Sequence, residues 1–181
     1  MSQQRYAIDI SRAYHYDFEG EAPCIETPQC TSRTYAFQTD EGHRYIFLAE
    51  VFDDTPLVAV KFYRASDAES NDKYHVLTCH RNPFRFFSTI VALMYHEIIC
   101  GLPSYAFIFK GEPTFKELTV GTKTTKRCTF YVRLLADFVN SSVYEVYEYS
   151  SESTMLYMNQ KLEQKDMDDI TCLLKSYGYR C

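Results

Sequence analysis

Between Arg33 and Tyr63 the chain carries three strand-like runs separated by two short breaks, and nothing else in it constrains the fold as strongly. Thr34-Tyr35-Ala36-Phe37-Gln38 alternates, and Asp40-Glu41-Gly42 interrupts it. Residues 43–52 are aromatic and apolar, Asp53-Asp54-Thr55-Pro56 turns the chain, and Leu57 to Tyr63 is rich in Val and aromatic side chains. A period of two matches side chains that point alternately to opposite faces of a pleated strand. A break of three residues ending in Gly is a hairpin signal. The run predicts an antiparallel meander.

Helical signals follow the meander. Asn82-Pro83 supplies an N-cap and a first-turn proline. Phe87, Ile90, Val91, Met94 and Ile98 then lie on one face of a helix that Gly101 and Pro103 end. Tyr105 to Phe109 reads as a buried strand. A second helix starts near Thr124 or Thr125, with Cys128, Tyr131, Val132, Leu135, Phe138 and Val139 as its apolar stripe. Val143 to Tyr149 alternates as a strand, Thr154 to Met158 fits a further one, and Glu163 to Tyr177 fits a final helix. Tyr74 to Cys79 fits a short strand as well. Residues 1–32 read as an irregular N-terminal arm with room for a short strand at Tyr6, Ile8 and Ile10.

Strands grouped before helices indicate the α+β class. The expectation is a mostly antiparallel sheet with two or three helices packed on one face. With 181 residues, 46% hydrophobic and 24% charged, and no repeat or linker, residues 1–181 form one domain. This composition excludes disorder and collagen-like structure.

Charge is segregated along the chain. Residues 1–60 carry four cations and ten anions, residues 110–133 six cations and two anions, and residues 134–170 two cations and eight anions. The net charge of −5 argues against a general nucleic-acid coat. The basic island offers a candidate anion- or nucleic-acid-binding site at Lys123, Lys126 and Arg127, near a helix N-terminus whose N–H groups and dipole favour negative charge. Arg133, on another side of that helix, is expected to face Glu145 or Glu148. In Val143 to Tyr149, Tyr147 and Tyr149 share a face with Glu145, and Tyr144 and Val146 share the other with Glu148. Neither face is cleanly apolar, which suits an edge strand or a surface that pairs with another chain. Tyr144, Tyr147 and Tyr149 are the candidate protein-binding residues.

No catalytic or cofactor motif is present. GxxxxGK[ST], GxGxxG and GxSxG are absent. His96-Glu97 lacks the second histidine of a zinc-binding helix, where Cys100 stands instead. His75, Cys79 and His80 form a mixed cluster near a turn, and Cys24-x5-Cys30 is too widely spaced for the usual zinc pair. No metal and no cofactor is expected. Seven cysteines without an apolar leader point to reduced, mostly buried thiols and a cytoplasmic location. No stretch is long and apolar enough to span a bilayer.

Phe86-Phe87-Ser88-Thr89-Ile90-Val91, then Pro103, then Tyr105-Ala106-Phe107-Ile108-Phe109-Lys110-Gly111, and after a loop Lys126-Arg127-Cys128, Tyr131 and Arg133-Leu134, form a helix–strand–helix pattern. This pattern resembles small bacterial and phage domains of unknown function. The resemblance implies a cytosolic, mobile-element-encoded protein and attaches no activity to it. The leading expectation is a non-enzymatic protein-binding factor that modulates a host system, its partner a host protein or a second copy. The alternatives are a nucleic-acid or nucleotide-phosphate binder using residues 110–133, and an enzyme with a dispersed Cys/His/Glu site.

Overall fold

A computed structural model describes residues 9–24, 29–74, 81–110, 125–136, 139–149 and 153–177. It is an α+β fold built on a seven-stranded, mostly antiparallel sheet. The strands are β1 (Tyr16–Pro23), β2 (Cys30–Gln38), β3 (Arg44–Phe52), β4 (Leu57–Arg64), β5 (Ala106–Lys110), β6 (Tyr144–Tyr149) and β7 (Thr154–Asn159). Their spatial order is β1-β2-β3-β4-β5-β7-β6. The meander is β2, β3 and β4, paired in register from Cys30↔Phe52 to Gln38↔Arg44 and from Tyr45↔Arg64 to Val51↔Val58.

Two features depart from the sequence expectation. Part of the stretch read as an irregular arm is a strand: β1 pairs antiparallel with β2 despite its acidic residues and Pro23. An edge strand tolerates both, since one side of its backbone makes no ladder. The pairing of β4 with β5 is parallel, from Leu57↔Ala106 to Val60↔Phe109. Parallel neighbours need a long crossover, and it is made by helix α1 (Pro83–Leu93) and a π-helix (Met94–Cys100). Asn82 caps α1 by accepting from the Arg85 N–H at 3.2 Å. The chain leaves the π-helix at Gly101, where a Cβ would lie 2.6 Å from the Glu97 carbonyl oxygen, so only glycine fits without displacing backbone.

The helices divide between the two sheet faces. Tyr35, Phe47, Val58, Val60, Phe107 and Tyr157 share a core with α1, the π-helix and α2 (Lys126–Leu135). The opposite face buries Leu57, Ala106, Ile108, Leu156 and Met158 beneath Ile170 and Leu174 of α3 (Gln164–Ser176). Placing two or three helices on one face thus describes α1 and α2 but leaves out α3. The α1 stripe is deeper than its spacing indicates. Phe86 and Leu93 are buried along with Ile90, Val91, Met94 and Ile98, because Phe37, Tyr45 and Phe62 of β2–β4 pack on Phe86 and the 3-10 turn at Ile10–Arg12 also meets α1. Residues 75–80, which include His75, Cys79 and His80, lie outside the described residues, as do Tyr6 and Ile8. No helix among the described residues is long and apolar enough to cross a membrane.

Candidate functional site

Among the described residues, strand β6 is the outermost strand on one side of the sheet. Its six residues pair with β7 without a register shift, from Tyr144↔Asn159 to Tyr149↔Thr154. The Gln160 N–H donates to the Val143 carbonyl at 2.8 Å, which identifies that pair as hydrogen-bonded. Hydrogen-bonded and non-hydrogen-bonded pairs alternate in antiparallel ladders. Residues 145, 147 and 149 therefore bond inward to β7, and the backbone N–H and C=O of Val146 point to the outer side.

Side chains sort the strand further. Tyr144 is 3% exposed and packs its ring edge-on to Phe107 at 5.4 Å. It is a core residue that pins the start of β6, and this removes it from the surface expected of the three tyrosines. Burial is the main cause that raises its phenol pKa, and its buried hydroxyl has no hydrogen-bond partner among the described residues. Val146 and Tyr147 are 47% and 39% exposed, both large apolar groups on the surface. The Tyr147 hydroxyl donates to Glu145, and this bond is the main reason its pKa is raised. Tyr149 is half-buried against the α3 core. Glu145 and Glu148 are exposed on opposite faces of the strand. Val146 and Tyr147 therefore expose one apolar side chain on each face of the strand, Val146 on the face of Glu148 and Tyr147 on the face of Glu145.

The edge has an electrical link to the interior. Cys128 of α2 is fully buried. Its thiol pKa is pushed up to about 11, first by burial and then by the negative charge of Glu148. Cys128 therefore stays a neutral thiol near pH 7, an inert core group rather than a nucleophile.

The basic island is less defined. Thr125 caps α2 by accepting from the Cys128 N–H at 3.1 Å, and its own N–H donates to Ser153 Oγ at 2.8 Å. Thr125 is only 1% exposed, so the cap itself sits inside the protein. Lys126 and Arg127 open the helix. Lys123 and the side chains of Lys126, Arg127 and Arg133 lie outside the described part of the structure.

The thiol expectation is corrected in two respects. Cys24 and Cys30 form a disulfide, and Cys100 and Cys172 are exposed free thiols. The hairpin brings the first pair together: the Cys24 N–H donates to the Cys30 carbonyl at 2.8 Å, and their Cα atoms are 5.4 Å apart, within disulfide range. Glu50 lies close enough for Cys24, Cys30 and Glu50 to form a three-donor metal group. In the disulfide, however, neither sulfur is a thiolate that could bind one, and the Glu50 carboxylate holds Lys61 Nζ at 2.8 Å. His96 is exposed, while Glu97 accepts a hydrogen bond from Tyr35 Oη at 2.6 Å.

Comparison with protein-family models, with curated proteins and with solved structures finds no match to this chain. Among the residues that form the edge, sequence reading singled out Tyr147 and Tyr149 and passed over Val146. The signal for Val146 was an apolar residue between two acidic ones on a strand with no clean face.

Proposed function

We propose that the chain is a non-enzymatic protein-binding factor whose β6 edge takes an extended, basic segment of another protein as an eighth strand. The observation that carries this reading is the outward-facing backbone of Val146 on a regular, unshifted outer strand. Strand addition draws affinity from main-chain hydrogen bonds and specificity from alternate side chains. Tyr147 and Val146 supply apolar contacts, and Tyr gives large contact area at low entropy cost. Glu145 and Glu148 favour cationic residues opposite them, each opposite-charge pair contributing about 0.2–1 kcal/mol.

The same charges speak against a second copy as the partner. Antiparallel pairing of two β6 strands centred on Val146 sets each Glu145 opposite Tyr147 of the other copy and each Glu148 opposite Tyr144, so neither carboxylate gains a cationic partner. The resemblance to phage domains supports a host protein as the source of the segment.

The test is titration of the protein with two capped octapeptides, one alternating Arg with Thr and one alternating Glu with Thr. The basic peptide is expected to bind and the acidic one not. Val146→Pro removes an outward donor while leaving the β6–β7 ladder intact, so it should abolish binding with little change in melting temperature. Tyr147→Ala should weaken binding by about tenfold or more, as aromatic anchors dominate such interfaces. Equal binding of both peptides, or full binding by Val146→Pro, contradicts the reading. Salt-sensitive DNA or RNA binding that is lost on charge reversal of Lys126 and Arg127, yet unaffected by Val146→Pro, replaces it with the nucleic-acid reading.

A further inference from the structure

Three side chains able to ligate a metal meet on the α3 face at the β1 side of the sheet. Cys24 follows the end of β1 and stands opposite Cys30 of β2, to whose carbonyl its N–H donates. On β3, Phe52 is the partner of Cys30 and Glu50 the partner of Ser32. Residues two apart on a strand share a face, so Cys30 and Glu50 are diagonal neighbours on one face of β2 and β3. Their ligand atoms and the Cys24 sulfur all lie within 4.8 Å of one another, the one such group of three among the described residues. Chain spacing hides this group, because a hairpin joins the cysteines and the third donor comes from another strand.

Glu50 is held ready as a ligand. It is only 9% exposed, and both of its carboxylate oxygens face Lys61 Nζ, Oε1 at 2.9 Å and Oε2 at 2.8 Å. One oxygen can engage a metal ion while the other keeps the ammonium. Carboxylates that ligate metals are themselves hydrogen-bonded as a rule, which fixes their orientation. The charges balance as well: two thiolates neutralise a divalent ion, and the Lys61 ammonium neutralises Glu50. Thiolate donors select zinc over the hard cations calcium and magnesium.

We infer that reduction of the Cys24–Cys30 bond turns this cluster into a zinc site, with Cys24, Cys30 and Glu50 as its three protein ligands. The fourth tetrahedral position is left to water on the side of the half-buried Cys24. A dithiol reductant supplies two electrons and two protons: its own sulfurs join as a disulfide, and the S–S bond of the protein becomes two thiols. Zn²⁺ then displaces both thiol protons to water as its two bonds to sulfur form. The ion ties the end of β1 to β2 and β3, where the disulfide ties it to β2 alone. This site lies across the sheet from β6 and does not depend on the reading of that edge.

The experiment is titration of the full chain, reduced with dithiothreitol and freed of it without air, using Co²⁺ as an optical stand-in for zinc. The reduced chain is expected to develop thiolate-to-cobalt charge-transfer absorption that Zn²⁺ abolishes, and the oxidised chain to develop none. Cys24→Ser should remove this absorption, whereas Cys172→Ser, at an exposed free thiol, should leave it in place. Glu50→Gln should weaken Co²⁺ by about tenfold or more, and Cys24→Ser, at a half-buried position, keeps the proposal testable if that variant does not fold. Zn²⁺ should also raise the unfolding midpoint of the reduced chain and leave that of the oxidised chain unmoved. Absence of the absorption in the reduced chain overturns the proposal. So does equal absorption in the oxidised chain, absorption that survives Cys24→Ser, a Co²⁺ affinity unchanged by Glu50→Gln, or a reduced chain that Zn²⁺ does not stabilise.

Discussion

The two edges of the sheet are built in opposite ways. Strand β1 is guarded. Its register shifts between Phe18 and Gly20, and Gly20 takes φ +134°, a conformation open to glycine and strained for other residues. Glu19 pairs with Arg44, and Glu21 pairs with Arg33 at 2.9 Å. Pro23 ends the strand, and the Cys24–Cys30 disulfide fastens it to β2. Bulges, charges and proline are the devices by which sheet proteins stop an edge from pairing with other chains. Strand β6 has no register shift and no proline, and it places Val146 and Tyr147 in solvent. One edge carries the devices that close it to further strands, and the other lacks the bulge and the proline, as the proposed role of β6 requires. The difference teaches that exposed apolar surface alone does not mark an edge open to pairing. Phe18 on β1 is 55% exposed, more than either β6 residue, but it stands beside a bulge.

The largest effect expected on this contrast comes from the anchors. Tyr144→Ala empties a buried ring site against Phe107 and should cost about 3–5 kcal/mol. Phe18→Ala on the guarded edge, whose exposed ring touches Tyr35 at 5.2 Å, should cost under about 1 kcal/mol. Urea unfolding of both variants checks the pair. Similar losses would mean that the two edges are anchored alike.

Alkali should act next, and through β6. The Cys128 pKa rises from 9.0 to about 11 on folding, so between those values the unfolded chain releases the proton first. Its contribution is fully present below pH 9 and is lost as pH rises through 11. The loss is about 2–3 kcal/mol at most. Burial also raises the Tyr35 and Tyr157 pKa values, which adds loss of the same sign above pH 10. Unfolding measured from pH 7 to pH 11 should show this decline. Glu148→Gln should make it shallower by removing one charge that opposes the Cys128 thiolate.

A smaller effect is expected at β1. Reducing the Cys24–Cys30 bond frees a short loop, and chain entropy puts the loss at about 2 kcal/mol. Dithiothreitol should lower the unfolding midpoint and speed amide exchange in residues 16–23, leaving residues 144–149 unchanged. Equal acceleration at both edges would show that the disulfide is not a local guard.

Much of this contrast was legible in the residues, though unevenly. Alternation located β2 and β6, and continuous aromatic and β-branched runs located β3 and β4, whose residues enter the cores on both faces of the sheet. The Asn82-Pro83 cap placed the start of α1, and Thr124 or Thr125 was read as the start of α2, whose cap is Thr125. Strand β1 was hidden because edge strands carry the Gly, Pro and acidic residues that otherwise mark loops. The parallel β4–β5 pair was hidden for a different reason: its partners lie about fifty residues apart, and no local pattern encodes a non-local pairing. A seven-residue π-helix is too short to separate its period from that of an α-helix. Alternation assigned Tyr144 and Tyr147 to opposite faces correctly. It did not show which face α2 would cover, and so did not show that Tyr144 is core. The disulfide was missed because the hairpin that joins Cys24 to Cys30 includes the strand that was read as an arm.

Amide hydrogen exchange read residue by residue, with and without the basic octapeptide, tests the central claim most directly. The peptide is expected to slow exchange at the outward Val146 amide by about tenfold or more and to leave the β1 amides from Asp17 to Ala22 as they were. Slowing at β1 instead, or no change at Val146 with the peptide bound, would contradict the assignment of β6 as the receiving edge.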